Sequence, residues 1–159
     1  MKTRLQIAVM VATALGVVVV QSRAVHAASS ADPCSLVTQQ QVAAVLGTNV
    51  NVGKQAATAL CEWDVPGQPF GIQGKKATVH FVTERAWVYA NIPVAGKTVT
   101  KTQISGVGDQ AVFGTTSARL ATLTVKKGNF FFVVQIYGFP IEQLREKEKV
   151  LALNIVAKL

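Results

Sequence analysis

Apolar residues recur along this chain with two different periods, and the changes of period mark its elements. From Thr38 the spacing is helical. Thr38 and Gln41 form a capping box, Val42, Val45 and Leu46 supply one apolar face, and Gly47 stops the turn. A helix of about two and a half turns is marginal by itself, so packing must hold it. The period then becomes two. Val50 and Val52 give a weak strand, Lys54 to Thr58 reads as a loop, and Leu60 to Val65 alternates cleanly, with Cys61, Trp63 and Val65 on the buried side. Pro66-Gly67-Gln68-Pro69 is a turn. Lys76 to Thr83 is the next strand, with Ala77, Val79 and Phe81 on one face and Thr78, His80 and Val82 on the other.

Glu84 to Asn91 reads as a short helix carrying Trp87 and Val88, ended by Pro93. Residues 94–118 are rich in glycine, threonine and serine, with short strands around Lys97 to Ile104 and Gln110 to Phe113. Arg119 to Lys126 and Asn129 to Tyr137 form a hairpin about Lys127-Gly128. Phe130 to Val134 is apolar on both faces, which predicts a central strand covered on both sides. Pro140 opens a last helix whose buried stripe is Ile141, Leu144, Leu151, Ile155 and Leu159, with Glu142, Arg145, Glu146, Lys147 and Lys149 facing water. The fold class is therefore α+β: a mainly antiparallel sheet with a short N-terminal helix and a longer C-terminal helix packed on it.

The N-terminus changes how the composition is read. Lys2 and Arg4 precede an apolar run from Ile7 to Val20, too short for the roughly 20 residues of a comfortable membrane span, and Val25-His26-Ala27 follows as a small-residue cleavage site. Residues 1–27 are expected to be a signal peptide, against the alternative of an uncleaved N-terminal anchor, 28–32 a disordered polar lead, and 33–159 one α+β domain. Loss of Lys2, Arg4 and Arg23, with no acid, takes the net charge from +8 to +5. Ala31-Asp32-Pro33 before Cys34 is not a lipobox, so a soluble periplasmic or secreted product without a transmembrane segment is expected. In that oxidising setting two cysteines have one possible pairing, and a Cys34–Cys61 disulfide closing a loop of about 27 residues is predicted.

The titratable inventory narrows the chemistry. His80 is the one histidine left after the signal, too few for a zinc site once the cysteines are bridged. Glu62 and Asp64 share a strand face, a geometry open to a carboxylate pair or a weak calcium site but more simply a polar outer face. A triad would have to join His80 to Ser35, Ser105 or Ser117 and Asp109, none of them in a nucleophile elbow. Gly106-Val107-Gly108-Asp109-Gln110-Ala111 has the letters of a dinucleotide loop, but no helix follows, so it reads as a tight turn with Asp109 bonding local N–H groups. No cofactor is expected. The excess charge is mostly lysine in loops and lacks the arginines and stacking aromatics of a nucleic-acid groove, so it reads first as a means of solubility, with an envelope protein or an anionic envelope component as the partner such a surface could meet.

Asp32-Pro33-Cys34-Ser35-Leu36-Val37-Thr38, the helix ending at Leu46-Gly47, Cys61-Glu62-Trp63, the Ile104 to Ala111 stretch and the final apolar strand and helix occur in order. Together they resemble a family of small exported bacterial proteins of unknown function. Many of its members are actinobacterial envelope lipoproteins that open with D-P-C-S-L-L-T. The resemblance implies export, a bridge between the first and second cysteines and an α+β fold; it implies no enzyme activity and supplies no catalytic residues. The expected function is a non-catalytic binding or interaction module of the cell envelope, against the alternatives of a small secreted hydrolase or an envelope enzyme inhibitor. The candidate interaction loop contains Lys97, Lys101, Gly106, Gly108 and Asp109.

Overall fold

The structure is a computed structural model, which describes residues 32–69, 71, 73–92, 99–117 and 119–159. The expected signal peptide, its cleavage site and Lys97 lie outside the described residues. Among those described, the elements in chain order are α1 (Pro33–Leu36), α2 (Gln39–Leu46), β1 (Lys54–Ala57), β2 (Leu60–Asp64), β3 (Lys76–Phe81), α3 (Glu84–Asn91), β4 (Thr100–Gln103), β5 (Gln110–Ser117), β6 (Leu120–Lys127), β7 (Phe130–Tyr137) and α4 (Ile141–Val156). The strands form one antiparallel sheet in the order β1-β2-β3-β7-β6-β5-β4. Two meanders, β1–β3 and β4–β7, thus meet where β3 pairs with β7. The connection from β3 must cross the sheet from its middle to the β4 edge, and it carries α3 over one face.

Strand alternation decides what each face does. Trp63, Ala77 and Ile136 fall on one row, Cys61, Val79, Val134, Leu123 and Phe113 on the next, and Phe81, Phe132, Val125 and Ala111 on a third. All but Phe81 are buried, sealed with Leu36, Val42, Val45 and Leu46 of α1 and α2 and Leu144, Leu151, Ala152 and Ile155 of α4. The α+β expectation holds, as does the α2 cap: Thr38 Oγ1 accepts from Gln41 N at 3.2 Å, Gln41 Oε1 from Thr38 N at 2.8 Å, and Gly47 takes the left-handed conformation at φ +70°. Cys34 and Cys61 are disulfide-bonded with Cα atoms 5.1 Å apart, tying α1 to β2 under the helical layer.

Several expectations are corrected. Val50 and Val52 form no strand; Val50 is buried and Val52 is 73% exposed. The strand lies instead at Lys54–Ala57, and it begins after Gly53, whose backbone lies so close to the Trp63 indole that a Cβ there would collide with Nε1. Phe130 to Val134 is central but is not covered on both sides: Phe132 and Val134 are buried, whereas Phe131 and Val133 remain half-exposed. Lys147 does not simply face water. It is half-buried, and its Nζ donates to Val45 O at 2.6 Å, supplying a partner at the C-terminal end of α2.

The largest surprise on α4 is Glu148, which is fully buried. The β6–β7 ladder runs from Lys127↔Phe130 to Leu123↔Val134 and stops there, although β6 begins at Leu120 and β7 continues to Tyr137. Into that split Glu148 inserts its carboxyl, and Oε1 accepts from Ile136 N at 3.1 Å. The Leu123 N–H faces the same carboxyl and favours its charged form, while Oε2 has no hydrogen-bond partner. Burial pushes the group up to about 8 against the pull of those two N–H donors, so it is largely protonated at neutral pH.

Candidate functional site

Among the described residues, the face of the sheet away from α4 is covered by a helix at one end only. Thr83 starts α3 by accepting from Ala86 N at 3.2 Å, and Glu84 in the first turn suits the helix dipole. Asn91 closes it, Nδ2 donating to Trp87 O at 2.8 Å. Only Trp87 of this helix is buried, its ring centroid 6.1 Å from that of Phe131. The neighbouring apolar side chains turn outward: Val88 is 49% exposed, Tyr89 58% and Ile92 47%. They form a ridge beside a groove of about 470 Å³ between α3 and the β4–β5 edge. Trp87, Val88, Asn91 and Ile92 make one wall, and Lys101, Gln103, Gln110 and Val112 line the rest.

Of the candidate loop residues, Lys101 belongs to this groove, its Nζ donating to Ile92 O and holding the β4 edge to the end of α3. Gly106, Gly108 and Asp109 do something else. They build the turn between β4 and β5, with φ +77° at Gly106 and +58° at Gly108, and a Cβ on Gly108 would meet Lys126 O at 2.5 Å. Asp109 N donates to Lys126 O at 2.8 Å, while its Oδ2 accepts from Gly128 N at 2.7 Å and its Oδ1 stands 3.4 Å from Lys127 Nζ. The Gly128 N–H, with help from Lys127, holds the Asp109 carboxyl below the usual carboxylate range. The N–H group it bonds is thus not local but belongs to the β6–β7 turn, and the glycine-rich motif is a clamp between two hairpins.

The other sequence candidates are engaged locally. Glu62 Oε2 pairs with Lys76 Nζ at 2.9 Å, and Asp64 with Lys54 Nζ at 2.9 Å and Asn51 Nδ2 at 2.9 Å, which lowers the Asp64 carboxyl. The two carboxylates do share a face, and Lys54 lies between them, 2.9 Å from Asp64 and 3.8 Å from Glu62, while Lys76 pairs with Glu62 and Asn51 bonds Asp64. His80 is exposed on that face, Ser35 Oγ donates to Asp32 O at 2.8 Å on the helical side, and Asp109 is committed to the hairpin clamp. No three His, Cys, Asp or Glu side chains come together as a metal-binding group among the described residues. No helix among them is long and apolar enough to cross a membrane.

Two features lay beyond the reach of the sequence reading. The exposed ridge had a partial signal: Trp87, Val88, Tyr89 and Ile92 are spread too widely around a helix for one buried stripe. Glu148 had none, because it sits within a charged run whose other members are exposed or half-exposed. A family model described as a protein of unknown function (DUF3558) matches residues 14–149 of the chain. No curated protein and no solved structure matches it.

Proposed function

The chain belongs to the DUF3558 family, whose description carries no activity, and from that premise we propose that it is an exported, non-catalytic binding module of the cell envelope that engages its partner through the α3 ridge and the adjoining groove. The observation that carries this reading is the placement of Val88, Tyr89 and Ile92. Three large apolar side chains stand in water next to one another on a helix held down by a single buried tryptophan. Scattered apolar residues need no explanation, but a contiguous ridge beside a groove with polar groups is the form an interaction site takes. Gln103, Gln110, Asn91 and Lys101 supply donors and acceptors for orientation.

The engaged acids support the same reading over a hydrolase. A general acid or base must be free to move a proton at a reacting atom, and the carboxyls of Glu62, Asp64 and Asp109 are held by lysines, an amide and a backbone N–H. The Cys34–Cys61 bridge supports export, since disulfides persist in oxidising compartments. The test is cross-linking in the native envelope from a photoreactive residue at position 92, followed by mass spectrometry. A defined adduct absent when the probe is moved to exposed position 52 is expected. Identical adducts from both positions, or none from either, would overturn the reading.

A further inference from the structure

We infer that the α3 ridge docks on an anionic lipid surface, with Val88, Tyr89 and Ile92 entering the headgroup region and Arg85, Lys101 and Lys126 meeting the lipid charge. The inference rests on the binding-module reading above and names the partner of that same ridge. The charge distribution across the open face points to it. Toward the β1 edge the cations are matched: Lys54 with Asp64 and Lys76 with Glu62. Around α3 they are not. Arg85 lies with its guanidinium 5.6 Å from the Tyr89 ring, Lys101 reaches the end of the helix at Ile92, and Lys126 sits 5.6 Å from the Phe131 ring on which Trp87 rests. None of the three has an ion pair among the described residues, and Glu84 is the one carboxylate on that helix.

An apolar ridge rimmed by unpaired cations fits the boundary between acyl chains and acidic headgroups, where aromatic and aliphatic side chains are buried and lysine or arginine stems reach outward. A second copy of this chain fits less well. Three apolar side chains bury far less than the roughly 800 Å² per partner of a stable interface, and two-fold pairing of the ridge would bring like charges together.

The test is co-sedimentation of the full exported protein with vesicles of phosphatidylcholine alone and with about 30 mol% phosphatidylglycerol, using Val88→Ser/Ile92→Ser and Arg85→Gln/Lys101→Gln variants checked for an unchanged melting temperature. Binding to the anionic vesicles only is expected. Each lost cation should weaken it about fivefold, as about 1 kcal/mol per basic residue near such a surface implies, and the apolar variant should weaken it at least as much. No binding to anionic vesicles, or binding unchanged in the Val88→Ser/Ile92→Ser variant, overturns the inference. A position-92 protein adduct without vesicle binding sinks the lipid partner and leaves the binding module standing. Dimerisation that the serine variant abolishes, again without vesicle binding, sinks the lipid partner in favour of a second copy. Loss of both the adducts and the vesicle binding sinks both readings.

Discussion

On one face of the sheet Trp63, Val79, Leu123, Phe132 and Val134 lie sealed under α1, α2 and α4; on the other, the residues one position along, Glu62, His80, Thr122, Phe131 and Val133, are open or half open to water. The backbone is common to both faces, so the contrast comes from what covers them. The sealed face is covered by three helices, one stapled by a disulfide and one extended over sixteen residues. The open face is covered by eight residues of α3, fastened by Trp87 against Phe131. Stability is therefore concentrated on one side of the sheet. The other is free to carry a ridge that a core could not tolerate.

The sharpest way to break this contrast is to delete matched aromatic groups from the two sides. Phe132→Ala on the sealed face should cost about 3–5 kcal/mol, because the surrounding core collapses only partly into the cavity. Denaturant unfolding measures it. Cys61→Ser should cost on the order of 3 kcal/mol through the loop it opens in the unfolded chain, and intact mass with and without reductant should show no free thiol in the native protein.

Next comes pH. Glu148 has its carboxyl raised from 4.5 to about 8 in the folded protein, so the native state holds a proton that the unfolded chain releases. Its contribution is complete below about pH 4.5 and is lost as pH rises through about 8, a change of up to about 5 kcal/mol at about 1.4 kcal/mol per pH unit. Asp64 and Asp109, both lowered, act in the opposite sense, contributing above their unfolded values and losing that contribution as the solution becomes strongly acid. In Glu148→Gln the alkaline loss should disappear; a slope equal to that of the wild type would show that another group carries it.

Smaller effects belong to the open face. Trp87→Ala should cost about 1–2 kcal/mol, because the ring it leaves is already half-exposed and α3 can detach without opening the core. Hydrogen exchange should then quicken in Glu84–Asn91 before it does in β6 or β7. Val88→Ser should move stability by no more than about 0.5 kcal/mol. Its effect should appear in binding alone.

How legible the molecule was follows the same division. Period-two alternation placed Cys61 with Trp63, and Ala77 with Val79 and Phe81, each set on one face of its own strand, and the i, i+3, i+4 pattern with a capping box placed α2, because the sealed face selects apolar residues at each inward position. The bridge was readable from cysteine count and the inferred compartment. Where burial does not dictate the residue, reading failed. Lys54–Ala57 is exposed throughout and is held as a strand by backbone pairing with β2, so its side chains carry no alternation to detect. Phe131 and Val133 invited a cover that the fold supplies only in part, since the reach of α3 depends on a crossover invisible in local pattern. Asp109 was read as a turn residue, and its partner at Gly128 could be found only once β5 and β6 lay side by side. Glu148 depends on a gap between two strands, a property of neither strand alone.

The order of strands bears on how such a chain can be made. The last strand to leave the ribosome, β7, is the middle strand of the finished sheet, paired with β3 on one side and β6 on the other. Until Phe130–Tyr137 arrives, β1–β3 and β4–β6 are two separate fragments, each presenting an unpaired edge where β7 will lie. Open edges of that kind recruit other chains, and pairing distant segments is slow. A protein built this way is safest if the whole chain is held extended until its end is available, so the ordering of its strands favours folding after synthesis over folding during it.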